Sequence, residues 1–229
     1  MSEQTDEPPT AVKAIITGAT GMIGEAVLHE CLEQANVEKV LVVGRKSCGV
    51  THPKLTEAVH PDFFDLVTIE NQLSDYNACF FCLGVSSVGV SNEEYRRLTY
   101  DLTLNFAETL VKSNPEMTFC YVSGQGTDSA ENSRLAWARV KGKTENDLMK
   151  LPFKKVYAFR PGFLKPTAGL KNAGKLYNYV GWLYPVIKTF FPKTASTLKE
   201  LCLAMIKSVT KGYEKNVLEV EDIIVLSNR

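Results

Sequence analysis

The sequence predicts an α/β protein with a parallel sheet covered by helices on both faces. Three observations predict it. Runs rich in β-branched residues alternate with runs whose apolar residues recur at helical spacing. Glycines follow several of the strand-like runs, where a chain turns from strand into helix. Right-handed crossovers between parallel strands then give a doubly wound fold, and 229 residues suffice for one large domain of this kind.

The elements follow one another in regular order. AVKAIITG and KVLVVGR are predicted strands on either side of the helix MIGEAVLHECLEQ. LTEAVH is a weaker third strand, FDLVTIENQLSDY contains a short helix, and ACFFCLG is a fourth strand. A long helix covers about residues 91–113, with Ser91 or Asn92 as its N-cap. MTFCYVSG, a helix containing WARVKGKTE, and KKVYAFRPG complete six strands.

The two ends of the chain differ from this alternation. Residues 1–10 are polar and acidic and are predicted to be a disordered tail before a single domain, 11–229. After residue 163 the regularity stops, and about 164–229 are predicted to form a small helical cap over the carboxyl edge of the sheet. That segment contains a helix near 194–210, and NVLEVEDIIVLSN predicts a short strand with a closing helix.

Composition excludes some functions. Lys plus Arg and Asp plus Glu are equal at 26 each, so no nucleic-acid partner is expected. The amino-terminal segment has no apolar core like that of a signal peptide, which favours a cytoplasmic location. Cys79 and Cys82 form a C-x-x-C within a predicted strand, where residues three apart point to opposite faces. Buried free thiols are therefore expected, with a metal or redox pair as the alternative, and no metal site is predicted.

The first strand runs directly into a glycine-rich turn, ITGATGMIGEAV, which opens a helix. Gly18 permits the tight turn, Gly21 lets a pyrophosphate approach the backbone, and Gly24 lets the helix lie close to the sheet. The free N–H groups at Met22 and Ile23 would face the phosphates, assisted by the helix dipole. The residues predicted to hold the pyrophosphate are Gly18, Thr20, Gly21, Met22, Ile23 and Gly24.

The second strand ends in two cations, Arg45 and Lys46, with no acid beside them. A site that selects NAD places a carboxylate near this position to hold the ribose 2′-hydroxyl, whereas two cations suit a 2′-phosphate. NADP(H) is therefore expected as the cofactor in preference to NAD(H), and a solvated loop charge is the alternative for Arg45.

Two further segments point to the adenosine half of a dinucleotide. Asp65 is predicted to accept a hydrogen bond from the adenine amino group, with Leu66 against the ring, and a helix N-cap is the alternative role for Asp65. The end of the fourth strand, at Cys82, Leu83 and Gly84, is predicted to run beside the ribose, because a glycine there leaves the backbone open.

In chain order, TGATGMIG, FFDL, CLG, YVSGQGTD, VKGKTE and RPGFL resemble an atypical short-chain dehydrogenase/reductase over about residues 12–165. The resemblance is to the Tat-interacting-protein and NmrA-like branches and to bacterial proteins labelled nucleoside-diphosphate-sugar epimerases. It implies a Rossmann-type fold and a bound NADP(H) or NAD(H). It also implies a catalytic Ser or Thr with a Tyr-x-x-x-Lys pair, in which the tyrosine moves a proton at the substrate oxygen and the lysine holds the nicotinamide ribose.

Carried onto this chain, the resemblance assigns that lysine to Lys141 and places Trp137 at the tyrosine position. An indole N–H does not titrate usefully, so Trp137 cannot be a general acid or base. Its ring either lines the nicotinamide or substrate pocket, on the same helix face as Lys141, or is a core aromatic. Ser123 is the predicted catalytic serine, with Thr127 as its substitute.

Other groups near the predicted nicotinamide end are less well defined. Pro161 and Gly162 are predicted to form a turn whose backbone passes the nicotinamide. Arg160 either holds an anionic substrate group or pairs with a core carboxylate. The side chains that could replace the missing acid are Tyr95, Tyr100, Tyr157, His29, His52 and His60, and the sequence places none of them at the nicotinamide end.

The segment 176–192 is strongly aromatic, and three interpretations stay open: a lid packed on the sheet, a homodimer face, or a membrane-surface helix. For the whole protein two functions compete. One is an NADP-dependent oxidoreductase or epimerase acting on an unidentified small molecule. The other is a non-catalytic sensor that binds NADP(H) and passes its state to a protein partner.

Overall fold

The structure, a computed structural model, describes residues 11–167, 169–172, 184–191 and 193–229. The predicted tail at 1–10 and most of the aromatic segment 176–192 lie outside the described residues. None of the helices in those ranges has the combination of length and hydropathy that crossing a membrane requires.

A seven-stranded parallel sheet forms the centre of the fold, in the order β3-β2-β1-β4-β5-β6-β9. Its strands are β1 Val12–Thr17, β2 Val37–Gly44, β3 Leu55–Val59, β4 Ala78–Phe81, β5 Thr118–Val122, β6 Lys155–Phe159 and β9 Val217–Leu218. Two short strands outside this sheet, β7 Phe163–Lys165 and β8 Ala195–Thr197, pair with each other. The strand order changes direction between β1 and β4, which is where ligands bind in open parallel sheets. The predicted doubly wound fold is confirmed.

The helices occupy both faces of the sheet. They are α1 Met22–Glu33, α2 Asn92–Arg96, α3 Leu102–Ser113, α4 Ala136–Leu148, α5 Tyr184–Phe190, α6 Leu198–Thr210 and α7 Val220–Asn228. A 3-10 helix covers Val67–Gln72, and a π-helical turn, Arg97–Asp101, joins α2 to α3. The long helix predicted at 91–113 is therefore present, and Ser91 is its cap, since its hydroxyl accepts the N–H of Glu94.

Alternate strand residues supply two separate cores. Ile16 and Phe80 face the layer that contains α1 and α6, while Ile15 and Phe81 face the layer that contains α3. This period of two is the reason that strands buried on both faces carry apolar residues almost without interruption. All six cysteines are free thiols, as expected, and Cys79 and Cys82 belong to opposite layers.

Part of the segment predicted to be a cap belongs to the main fold instead. Strand β9 extends the sheet beside β6, and Leu218 in it is fully buried. Helix α6 packs its apolar face in the same core as α1. Its capping box, Thr197 with Glu200, fixes where it begins. The reason is that an amphipathic helix and a short apolar strand stabilise the protein most where they cover the open edge and face of the sheet.

The close packing of the turn between β1 and α1 leaves no room for a side chain at Gly24, in contrast to Gly84 after β4. A Cβ atom on Gly24 would lie 2.1 Å from the carbonyl oxygen of Gly18, which is backbone and cannot move aside. A Cβ atom on Gly84 would meet no atom within 4 Å.

We therefore expect Gly24→Ala to lower the free energy of unfolding by about 3 kcal/mol, since overpacking against rigid backbone has this cost. Gly84→Ala is the matched control and should change it by less than about 1 kcal/mol. Urea unfolding of the two variants measures both values, and equal effects would contradict the predicted role of Gly24.

Candidate functional site

The turn between β1 and α1 leaves the start of the helix open to a ligand. Gly18 has a φ of +72°, in the left-handed region, and a Cβ there would lie 2.7 Å from the backbone of Cys82. Gly21 is the N-cap of α1, and no side chain caps the helix. The first N–H groups of α1, at Met22 and Ile23, thus lie at the positive end of the helix dipole at the strand-order switch, an arrangement that suits a phosphate group.

A cavity of about 350 Å³ opens beside this turn. Its walls are Gly18, Ala19, Thr20, Val42, Val43, Gly44, Arg45, Lys46, Phe63 and Leu83. Among the described residues, neither Arg45 nor Lys46 has an ion-pair or side-chain hydrogen-bond partner. Two unpaired cations therefore face the same cavity as the glycine turn.

A second cavity of about 250 Å³ adjoins the first, and Arg45, Phe63 and Leu83 line both. Its remaining walls are mostly apolar or aromatic: Pro61, Asp62, Phe64, Gly84, Val85, Arg97, Leu98 and Leu102. The guanidinium of Arg97 lies 4.6 Å from the centroid of the Phe64 ring. Flat apolar walls with a few polar groups suit a planar base.

The adenine contacts predicted for Asp65 and Leu66 do not coincide with this cavity. Leu66 is only 3% exposed and packs in the core, so it has almost no surface to offer a ring. Asp65 accepts the N–H of Val67 at 3.2 Å just before the 3-10 helix, but the N-cap of that helix is Leu66, so the alternative capping role is not found either. The aromatic surface of this cavity comes from Phe63 and Phe64 instead.

The end of β4 lies where the sequence predicts it. Leu83 donates its N–H to the hydroxyl of Thr17 at 3.3 Å, which ties β4 to the end of β1. Leu83 lines both cavities, and Gly84 lines the second. Cys82 is partly buried and backs onto Gly18. Contact of Cys82, Leu83 and Gly84 with a ribose stays a prediction.

Helix α4 places Trp137, Lys141 and Glu145 on successive turns of one face. The Lys141 ammonium donates to the carbonyl oxygen of Ser123 at 2.5 Å and lies 5.9 Å from the centroid of the Tyr121 ring. Burial lowers the pKa of Lys141 to about 8, against the opposing attraction of the Glu145 carboxylate. A lysine with such a pKa changes its charge close to neutral pH.

The hydroxyl of Ser123, the predicted catalytic serine, is directed into the interior. It is hydrogen-bonded to Glu145 Oε1 at 2.5 Å and lies 3.2 Å from the carbonyl of Phe159. Arg160 donates to both oxygens of the same carboxylate, at 3.1 and 2.5 Å, and to Glu219 at 3.1 Å. Of the two roles open for Arg160, pairing with a core carboxylate is the one found.

The indole of Trp137 lies against a glycine loop. A Cβ atom on Gly126 would come within 3.3 Å of Cη2 of Trp137, and Gly126 has a φ of +87°. Thr127, the substitute for Ser123, donates its hydroxyl to the carbonyl of Gly124 at 2.7 Å. Trp137 is only partly buried, so its ring both packs on the loop and keeps an exposed edge.

Most of the replacement acids have other partners. Tyr100 donates to Asp147, and Tyr157 is hydrogen-bonded to the backbone of Tyr213. His52 accepts the N–H of Lys54, His60 contacts the carbonyl of Asp65, and His29 lies on α1. Tyr95 is buried, and burial raises its pKa.

The turn at Pro161 and Gly162 is tightly packed. The carbonyl of Pro161 accepts the N–H of Gln125 at 2.9 Å. A Cβ atom on Gly162 would lie 2.2 Å from the carbonyl of Thr194, so the glycine makes room for that segment. Passage beside a nicotinamide stays a prediction for both residues. No group of three His, Cys, Asp or Glu side chains in the described ranges is arranged to hold a metal ion.

Sequence reasoning missed Glu145 and Phe63. Glu145 follows Lys141 by four residues, and that spacing alone places it on the same helix face. Phe63 carries no comparable signal, because its place on the wall of both cavities depends on how the chain turns after β3.

Comparisons with known proteins agree with this geometry. The sequence profile of the NAD dependent epimerase/dehydratase family matches residues 14–133. The chain is 30% identical over 158 residues to Protein FMP52-2, mitochondrial, of Scheffersomyces stipitis, and the match covers 67% of each chain. It is 28% identical over 151 residues to Protein HTATIP2 of Rattus norvegicus, covering 65% of this chain and 61% of that protein.

Two solved structures share the fold at low identity. The Bordetella bronchiseptica enzyme WbmF in complex with NAD+ superposes with a TM-score of 0.65 at 14% identity, covering 96% of this chain and 78% of that one. The UDP-N-acetylglucosamine 4-epimerase from Methanobrevibacter ruminantium M1, in complex with UDP-N-acetylmuramic acid, superposes with a TM-score of 0.64 at 15% identity. The match covers 94% of this chain and 81% of that one. The resemblance inferred from the sequence is confirmed.

The lowered pKa of Lys141 predicts a pH-dependent stability. The folded protein releases this proton near pH 8 and the unfolded chain near 10.5. Between those values the unfolded state binds more protons, so the free energy of unfolding rises with pH. Relative to Lys141→Met, the wild type should gain up to about 1.4 kcal/mol per pH unit across this window. Urea unfolding at several pH values measures the difference, and a difference independent of pH would contradict the assignment.

Proposed function

Because this chain belongs to the NAD dependent epimerase/dehydratase family, we propose that it binds NADP(H) and acts as an oxidoreductase or epimerase on a small molecule. One observation carries the cofactor proposal. The cavity of about 350 Å³ has the phosphate-type glycine turn on one wall and, on another, Arg45 and Lys46, which have no ion-pair partner in the part of the chain that the structure describes. A doubly charged 2′-phosphate would satisfy both cations, whereas the 2′-hydroxyl of NAD(H) would leave them unpaired.

Each part of the chain then has a task in binding. The open N-terminus of α1 would hold the pyrophosphate, and the cavity lined by Phe63 and Leu83 would hold the adenine. Lys141 would reach the ribose on the nicotinamide side, since its ammonium has a single backbone acceptor among the described residues. The hydride chemistry itself belongs to the cofactor.

Proton transfer is the step in which this chain departs from the tyrosine-dependent scheme. Trp137 has no group that titrates usefully. Lys141 lies one helical turn away, and its pKa of about 8 would allow it to hold or release a proton near neutral pH. The proposed chemistry therefore uses Lys141 or water at the substrate oxygen.

A second candidate, a non-catalytic NADP(H) sensor, is favoured by a separate observation. The hydroxyls of Ser123 and Thr127 are both engaged within the protein, by Glu145 and by the carbonyl of Gly124. A protein that only reports its nucleotide needs no acid at the substrate oxygen.

Location and further partners stay predictions. We propose a cytoplasmic protein, although the yeast relative carries the word mitochondrial in its name. A homodimer, or contact with a membrane surface through 176–192, is proposed only as an alternative use of the aromatic segment.

The cofactor proposal predicts that NADPH stabilises the protein. At about 100 times its dissociation constant, NADPH should add about 2.7 kcal/mol to the free energy of unfolding. Arg45→Asp should lower the affinity for NADPH at least about tenfold and that for NADH by less than about threefold, since the ion pair with the 2′-phosphate is lost for NADPH alone. Lys154→Asp makes the same charge change on the exposed chain just before β6 and should alter neither. Isothermal titration calorimetry measures all the affinities, and equal losses of NADPH and NADH would refute the 2′-phosphate assignment.

An enzyme and a sensor are distinguished by whether the protein turns over a carbonyl substrate and by whether Lys141→Met abolishes that turnover. The assay follows NADPH oxidation with a panel of aliphatic, aromatic and quinone carbonyl compounds. A catalytic protein should turn over at least one compound and lose at least about 100-fold of that rate in the variant. Lys143→Met, on the outer side of α4, is the matched control and should keep the rate. Tight NADPH binding without turnover of any compound would favour the sensor.

A further inference from the structure

The segment after β2 turns back along the neighbouring strand β3. Within the sheet, Val42 of β2 pairs with Glu57 of β3, and Gly44 pairs with Val59. Beyond Gly44 the chain leaves the sheet through Arg45 and Lys46. A Cβ atom on Gly44 would lie 3.1 Å from the carbonyl of Lys46, so this turn is tight.

Glu57 holds the far side of that turn. Its Oε1 accepts the N–H of Cys48 at 2.6 Å, and its Oε2 accepts the hydroxyl of Ser47 at 2.8 Å. The same hydroxyl oxygen accepts the N–H of Gly49 at 3.1 Å, where the backbone has a φ of +68°. One carboxylate thus fixes the three residues that follow Lys46.

These contacts keep Glu57 ionised. Burial raises its pKa, but the hydrogen bonds from Cys48 and Ser47 outweigh that effect and hold the pKa below its usual range. Both carboxylate oxygens are used by the turn, and no ion pair with Arg45 or Lys46 is found among the described residues. Both oxygens of the nearby carboxylate therefore bind the turn, at the Ser47 hydroxyl and the Cys48 N–H. The side chains of Arg45 and Lys46 face the cavity.

We propose that Glu57 is a positioning residue for cofactor choice, which holds the turn so that Arg45 and Lys46 face a 2′-phosphate. This inference rests on the proposed binding of NADP(H). Glu57 acts through the turn and contacts no cofactor atom itself. Removing it frees Ser47 and Cys48, so the cations lose their fixed placement, while the glycine turn and the apolar walls of the second cavity keep theirs.

The test compares two substitutions that separate geometry from charge. Glu57→Ala removes both acceptor oxygens. It should lower the affinity for NADPH about tenfold but the affinity for NADH by less than about twofold. Glu57→Gln removes the charge, yet its amide oxygen still accepts from Cys48 and its NH₂ group donates to Ser47. It should keep the NADPH/NADH preference within about twofold of the wild type. Glu70→Ala, an exposed acid on the 3-10 helix, controls for the change in net charge.

A double-mutant cycle shows whether Glu57 works through the cations. In an Arg45→Ala, Lys46→Ala background, adding Glu57→Ala should cause no further loss of NADPH affinity. Affinities come from calorimetry, and thermal unfolding establishes that each variant is folded.

The outcomes separate the two proposals. If the wild type binds neither NADPH nor NADH, or binds both equally, the proposed function fails before Glu57 is considered. If the wild type prefers NADPH but Glu57→Ala weakens both dinucleotides by the same factor, the role of Glu57 is overturned. An additive loss in the cycle, or a loss of preference in Glu57→Gln as large as in Glu57→Ala, overturns it as well.

Discussion

The close approach of three backbone segments around Gly18 is the constraint on which the rest of the site depends. The carbonyl of Gly18 touches the α-carbon side of Gly24, and its own α-carbon faces the backbone of Cys82. These contacts bring the start of α1 to the gap between β1 and β4. Because the helix begins there without a side-chain cap, its N–H groups and its dipole are presented beside the cavity that the glycine turn lines.

Opposite charges are arranged very differently at the two ends of the site. At the end proposed to hold the adenosine, Arg45 and Lys46 face a cavity while the nearby carboxylate of Glu57 binds the turn. At the other end, Arg160 and Glu145 neutralise each other in the interior and hold Ser123. A buried pair of this kind is costly to break, because either partner alone would be an unpaired buried charge. The positive charges of Arg45 and Lys46 thus face the cavity where a phosphate is proposed, whereas the charge of Arg160 near Ser123 is neutralised by Glu145.

Local patterns predicted most of the fold and, in the candidate site, the glycine turn and the two cations that line one cavity. Strand and helix periods, the glycine turn and the cap at Ser91 each depend on residues within a few positions of one another. The roles of Leu66, Ser123 and Arg160 depended on whether each side chain faces the core or the cavity. The order of residues along the chain does not predict this orientation, since Arg160 and Glu145 meet only after β6 and α4 pack together.

The sequence by itself determined the fold class, the phosphate-type turn and the pair of cations after β2. It also placed Trp137 at the position for which the family resemblance implies a tyrosine. Only the tertiary structure decided which polar groups are engaged within the protein. Ser123 is hydrogen-bonded to Glu145, Arg160 pairs with two carboxylates, and Glu57 binds the turn at Ser47. The physical reason is that the buried groups of Ser123 and Arg160 must find hydrogen-bond partners, and those partners lie on other elements of the fold.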